Sequence, residues 1–256
     1  MCSPRFLYLR ENTGDLDTHV LASRLSYFLW SSMPDDELLK LAAAGTLSES
    51  TTRRKQVERM LADPKGQRFV SNFTRIWLEL DNIGKMPPSK EFLTYYRDNL
   101  ESAMRNETEH FFRHILDNNL PLREFLAADY SFLNRELAEH YGMPGLKGNH
   151  FRKVRLPNAS RGGILGHGSF LTASANGVDT SPVVRGIYVM NKLLDYTPPP
   201  PPDDVPAIEP DVRGATSLRE RLIKHRADAT CAQCHNKIDP SGFALENYDA
   251  IGAWRD

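Results

Sequence analysis

Apolar residues recur at helical spacing through most of the chain. From Thr18 onward, Val20, Leu21, Leu25, Phe28 and Leu29 stand three or four apart, and Trp30 follows, which predicts an amphipathic helix. The run Ser32-Met33-Pro34-Asp35-Asp36-Glu37 reads as the next helix start, with an early proline and acids in the first turn. Leu38, Leu39 and Leu41 supply its stripe and Gly45 its end. A third helix is predicted over 51–62, stopping at Asp63-Pro64, and a fourth over 66–80 with Phe69, Val70, Phe73, Ile76, Trp77 and Leu80 facing a core. After the break at Met86-Pro87-Pro88, a long helical stretch is expected over 90–116, with short helices over 121–126 and 134–141. No segment before Gly142-Met143-Pro144-Gly145 alternates with period two, so this half should be almost wholly helical.

The pattern then changes. Residues 145–160 form a glycine-containing, basic loop, with a short extended piece at 151–156. Arg161 to Ser169 is glycine-dense but lacks the Gly-Lys-Ser/Thr of a phosphate loop; its glycines suggest close backbone approach, to a helix or to a flat cofactor. Thr180-Ser181-Pro182 caps a helix expected to reach Tyr196, with Val184, Ile187, Tyr188, Leu193 and Leu194 inward. Pro198 to Pro202 and the residues to Pro206 read as a stiff extended strap. Ser217-Leu218-Arg219-Glu220 is a capping box opening a helix to about Arg226. The expected fold is therefore mainly α. A helical scaffold domain (1–148) is followed by a small helical module (149–256) that contains the strap (198–206).

Composition narrows the classes. The chain has 256 residues, 40% of them hydrophobic and 25% charged, enough for a packed core. Lys plus Arg number 32 against 33 Asp plus Glu, which argues against a nucleic-acid or anionic-membrane surface as the main partner. No apolar run is long enough to span a membrane.

The chemistry concentrates near the end, at Cys231-Ala232-Gln233-Cys234-His235. Cys-x-x-Cys-His is the attachment signal for c-type haem. Two thiols one helical turn apart bond one edge of the porphyrin, and the following imidazole then lies beneath the iron. On this reading Cys231 and Cys234 anchor one haem c, and His235 is the proximal iron ligand. Three rivals stay open: a zinc site completed by His225 or another His, a thiol redox pair, and two buried cysteines beside an incidental histidine. Zinc lacks a second Cys pair among the 3 cysteines, and the redox pair lacks its usual βαβ setting. His110 and His114 share a helix face at i and i+4, but no third ligand or catalytic Glu accompanies them.

No Met or His follows His235, so a distal ligand would have to come from upstream or from another segment. His167 and Met190 are the nearest candidates; Met143 and His150 are weaker ones. Met1 to Arg10 lacks the apolar length and cleavage site of a signal peptide, whereas bacterial haem attachment occurs outside the cytoplasmic membrane. The chain is therefore expected to be a piece of a longer exported protein or the product of a mis-started frame.

Several separated stretches carry a resemblance: Arg24 to Asp35 (RLSYFLWSSMPD), Met60 to Pro64, Ala128 to Asn134, Arg161 to Leu165, Thr180 to Gly186 with the proline run, and Cys231 to Arg255. Across about residues 3–256 the chain resembles the central and C-terminal parts of planctomycete-type cytochrome c-like proteins built from successive domains of unknown function. A Cys-x-x-Cys-His followed by Ile-Asp-Pro-x-Gly is also similar to bacterial di-haem cytochrome c peroxidases. The resemblance implies a periplasmic or cell-envelope protein with covalent haem and flanking domains of a longer chain, but no defined reaction; one-electron transfer with a redox partner protein is the expectation that the haem motif itself carries. It leaves a peroxidase-like haem enzyme, and a non-haem helical interaction scaffold, as alternatives.

Overall fold

The computed structural model describes residues 17–85, 88–199, 220 and 229–255. Expectations for the lead-in before Asp17, the bulk of the strap and the helix to Arg226 lie outside these residues. The architecture is mainly helical, with one small two-stranded sheet. It divides into two compact units, one up to Phe73 and one from Thr74.

In the first unit, α1 (Thr18–Trp30), α2 (Asp36–Ala43) and α3 (Ser50–Ala62) enclose Ala22, Leu29, Trp30, Leu38, Ala42, Leu47 and Met60. Small Ala22 and Ser26 lie on the buried face of α1, while Phe28 is exposed. The Trp30 indole N–H donates to the Met60 carbonyl at 2.8 Å, so the largest core ring is also polar-satisfied. Asp35 has two tasks. Its carboxylate accepts from the Leu38 N–H, capping α2, and from both Arg59 guanidinium nitrogens at 2.7 and 3.2 Å. Arg59 holds the Asp35 carboxyl below the usual carboxylate range. Pro34 precedes that cap rather than entering the helix.

Helix α4 (Gln67–Trp77) buries Val70, but Phe73 and Ile76 are exposed, so the expected inward stripe of this helix is narrower than its apolar content. The long helix expected over 90–116 is two helices, α5 (Leu93–Arg97) and α6 (Leu100–Asp117). The break is at Asn99, whose φ of 49° is left-handed, a conformation Asn tolerates better than other non-glycine residues. Helix α7 (Glu124–Ala127) leads into β1 (Tyr130–Leu133), a strand in the half expected to be almost wholly helical; its four residues are too few to show a period. After α8 (Arg135–His140), β2 (Arg152–Arg155) occupies the piece read as extended and pairs antiparallel with β1, Tyr130 opposite Arg155 and Leu133 opposite Arg152. That pairing joins the two sides of residue 148 within the second unit.

The glycine-dense stretch becomes a 3-10 turn, Ile164–Gly166, followed by α9 (Gly168–Ala173). Its close approaches are to the protein itself: a Cβ at Gly163 (φ 51°) would press on the backbone of Phe125 and Leu126, and one at Gly168 on the Met104 and Tyr141 side chains. Helix α10 (Pro182–Leu193) starts as expected, with the Ser181 hydroxyl accepting from the Val184 N–H and Pro182 in the first turn. Its inward face differs from the expectation. Val184 and Leu194 are exposed, and the buried positions are Pro182, Arg185, Gly186, Tyr188, Val189 and Met190. The last helix, α11 (Ala229–Phe243), lies against α10.

Candidate functional site

Helix α11 carries Cys231, Cys234 and His235 on one continuous stretch. Two glycines set how it meets α10. A Cβ on Gly186 would collide with the Ile238 carbonyl, and a Cβ on Gly242 with the Pro182 carbonyl. The helices therefore touch backbone to backbone at two points four residues apart and run antiparallel. Pro240 stands inside α11, where it has no N–H to give the preceding turn, and the helix ends three residues later at Phe243.

His235 sits half-buried on this helix, its side chain 14% exposed. Its Nδ1 is 2.9 Å from Oδ1 of Asp239, one turn on, and Asp239 is fully buried. A carboxylate acceptor selects a ring with its proton on Nδ1, which leaves Nε2 as the nitrogen turned away from Asp239. That is the tautomer an iron or zinc ligand requires. The Cys234 thiol is free and partly buried. The residues thus suit a covalently attached haem: a free thiol, and an imidazole held at Nδ1 so that Nε2 is the nitrogen left for a metal.

Beyond α11, the chain from Ala244 to Arg255 is tied down by arginines. Arg185, fully buried, donates to the carbonyls of Leu245, Tyr248 and Asp249 at 2.9, 2.7 and 2.6 Å. Burial pushes its guanidinium down to about 10, which still leaves it charged at neutral pH. Arg161 donates to the Gly252 carbonyl at 2.6 Å, and Arg255 to the Glu246 carbonyl at 2.8 Å. Within this segment Leu245, Tyr248 and Ile251 belong to the core of the second unit, Ile238 at the seam is buried, and Trp254 is exposed, its ring edge-on to Tyr248.

The two candidate distal ligands lie in different settings. His167 is buried against α6 and α9: its Nδ1 is 3.0 Å from the Thr108 hydroxyl, and its ring meets Phe111 edge-on at 4.8 Å. Its Nε2 is buried with no hydrogen-bond partner, and burial pushes its pKa down, so it stays neutral. Met190 is buried on α10. Met143 packs partly buried on the core, and His150 is exposed beside Arg152. His110 stacks on Phe151 and Phe132, while Lys153 approaches Nε2 of His114 at 3.1 Å, which places a cation where a metal would have to be. Among the described residues no three His, Cys, Asp or Glu side chains gather as a metal site. His225, the proposed fourth zinc ligand, lies outside them.

A second buried constellation escaped the sequence. Glu107, fully buried on α6, accepts from the Ser131 and Tyr141 hydroxyls at 2.6 Å each and from the Gly168 N–H at 3.3 Å. The Arg161 guanidinium lies over the Tyr141 ring at 3.5 Å and donates to the Gly166 carbonyl. Burial and the Glu107 charge push the Tyr141 phenol well above its ordinary value. Helical periodicity could not flag Glu107, because a buried carboxylate reads as a break in an apolar stripe. Asp239 had a signal: it lies four residues after His235 in a helix.

A family model described as PSD4, a protein of unknown function (DUF1592), matches residues 16–143. A second, described as PSCyt3, a protein of unknown function (DUF1588), matches residues 161–256. The chain belongs to these planctomycete-type families. Its C-terminal match is a planctomycete cytochrome-like domain, and that match contains α10, α11 and the arginine-tied loop. No curated protein and no solved structure matches the chain. Among the described residues no helix is long and apolar enough to cross a membrane.

Proposed function

We propose that the PSCyt3 segment binds one haem c covalently through Cys231 and Cys234, with His235 as proximal iron ligand, and transfers single electrons in a bacterial cell envelope. The observation that supports this reading most is the placement of both cysteines and the histidine on one helix within a cytochrome-like domain match. When bound, the haem supplies one-electron redox chemistry, and the protein supplies attachment and orientation. The Cys234 thiol provides one anchor. The Nδ1 bond to Asp239 presents Nε2 of His235. The Gly186–Ile238 and Gly242–Pro182 contacts hold the helix in place, and Arg185 fixes the loop that follows. A redox partner protein or flanking domains of a longer chain would take and give the electrons.

The test is a pyridine haemochrome spectrum of the chain exported to the periplasm of a host with the c-type maturation system. The expected result is a c-type α-band that is lost in Cys231→Ser/Cys234→Ser. Folded, exported protein with no band would overturn the proposal and turn attention to zinc at the same helix. Of the distal candidates, His167 keeps a buried Nε2 without a hydrogen-bond partner while its Nδ1 is held by Thr108, and Met190 is buried on α10.

A further inference from the structure

We infer that Asp239 is the positioning residue of the proximal ligand, a buried carboxylate that locks His235 about its Nδ1–H bond and biases the iron toward its oxidised form. This rests on the haem reading above. A histidine that ligates a metal through Nε2 has its orientation and donor strength set by whatever accepts from Nδ1. A backbone carbonyl is a neutral acceptor. Asp239 brings an anion to 2.9 Å instead, with no exposed surface at which water could compete for the proton.

The carboxylate is also fixed in place. Ile238 and Gly242, on either side of it in α11, are the residues whose backbone meets α10 at Gly186 and Pro182. The helix cannot turn to withdraw Asp239 without breaking those contacts. A carboxylate drawing on the Nδ1 proton makes the ring more electron-donating at Nε2. Greater donation stabilises ferric over ferrous iron and lowers the reduction potential; second-shell hydrogen bonding is one of the protein's levers on haem.

The experiment uses the full chain matured with haem, and pyridine haemochrome stoichiometry is taken first. No haem in the wild type overturns the haem reading and this inference with it. With haem present, Asp239→Asn keeps the shape and removes the charge. The expected result is unchanged haem content with the ferrous-to-ferric ratio at a fixed potential raised about tenfold, a positive shift of about 59 mV for one electron. Asp239→Glu, which restores the charge, should recover part of that shift. A potential unchanged in Asp239→Asn, with haem retained, overturns the inference and leaves the haem reading standing.

Asp239 is buried, so a folding failure of the variant is covered by a measurement on the wild type. With 15N-labelled histidine, the His235 Nδ1 proton of the ferric protein is expected to resist exchange with D2O for hours. Exchange within the mixing time would overturn the inference.

Discussion

The seam between α10 and α11 and the polar nest around His167 both join segments far apart in sequence, yet by opposite means. The seam uses absence: Gly186 and Gly242 have no side chain, so the backbones meet carbonyl to Cα. The nest uses surplus: Glu107, Thr108, Ser131, Tyr141, Ser169 and Arg161 fill the space with polar atoms, most of them hydrogen-bonded within it, and only the His167 Nε2 among the nest's atoms named above lacks a partner. The histidines differ accordingly. His235 has a carboxylate partner one turn on along its own helix, which fixes the Nδ1 side of its ring. His167 has a neutral hydroxyl partner from another helix and a pKa lowered by burial, which defines a packed, uncharged core group. A seam without side chains tolerates no added atom; a nest of hydrogen bonds tolerates change in proportion to the partners left unpaired.

The largest effect should come from filling the seam. Gly242→Val puts branched carbons where the Pro182 carbonyl stands, and overpacking of this kind costs about 3 kcal/mol. Urea denaturation should show that loss. Gly45→Ala is the contrast. Gly45 has φ of 74° but open space around it, so the cost is backbone strain alone, about 1 kcal/mol. Equal losses in the two variants would break the claim that contact, not conformation, governs the seam. Next in size is Thr108→Val, nearly the same shape without the hydroxyl. It removes the partner of both His167 Nδ1 and the Ser169 hydroxyl, and orphaned buried polar groups cost about 2 kcal/mol. Thr108→Ser should recover most of it in the same denaturation assay.

What the sequence disclosed follows the same contrast. Regular features with local causes were legible: the helical class, the Ser181-Pro182 start of α10, and the end of α2 at Gly45. The misses have non-local causes. Helix 90–116 was read through Asn99 because its apolar spacing continues on both sides, and only the backbone reveals the left-handed turn. Strand β1 exists because β2, twenty residues later, pairs with it. Val184 and Leu194 were read as inward because they are apolar, but Gly186 at the seam decides which face of α10 is covered, and Arg185 rather than Val184 goes inside. The glycines from 162 to 168 signalled close approach correctly; the approaching groups are Phe125, Leu126, Ala128, Met104 and Tyr141 of the protein itself.

The smallest effect is a pH dependence that belongs to the nest. Burial lowers the folded-state pKa of His167 below its ordinary 6.5. The unfolded chain then binds a proton at a higher pH than the folded one does, so stability rises with pH across that window. The contribution is fully present above pH 6.5 and is lost progressively as pH falls below it toward the folded-state value. One such group gives a slope of at most about 1.4 kcal/mol per pH unit. His140, whose Nε2–H donates to the Ile251 carbonyl, and the ring-stacked His110 and Lys153-facing His114 shift in the same direction through burial. The decisive quantity is therefore a difference. Urea denaturation at pH 7.5 and 5.5 should show a smaller loss for His167→Gln than for wild type, because Gln carries no titrating proton into the space beside Thr108 and Phe111. If the two proteins lost stability equally over that interval, the description of His167 as a neutral group held by burial would fall. The Glu107 charge nearby would then be compensating more of that burial than the geometry suggests.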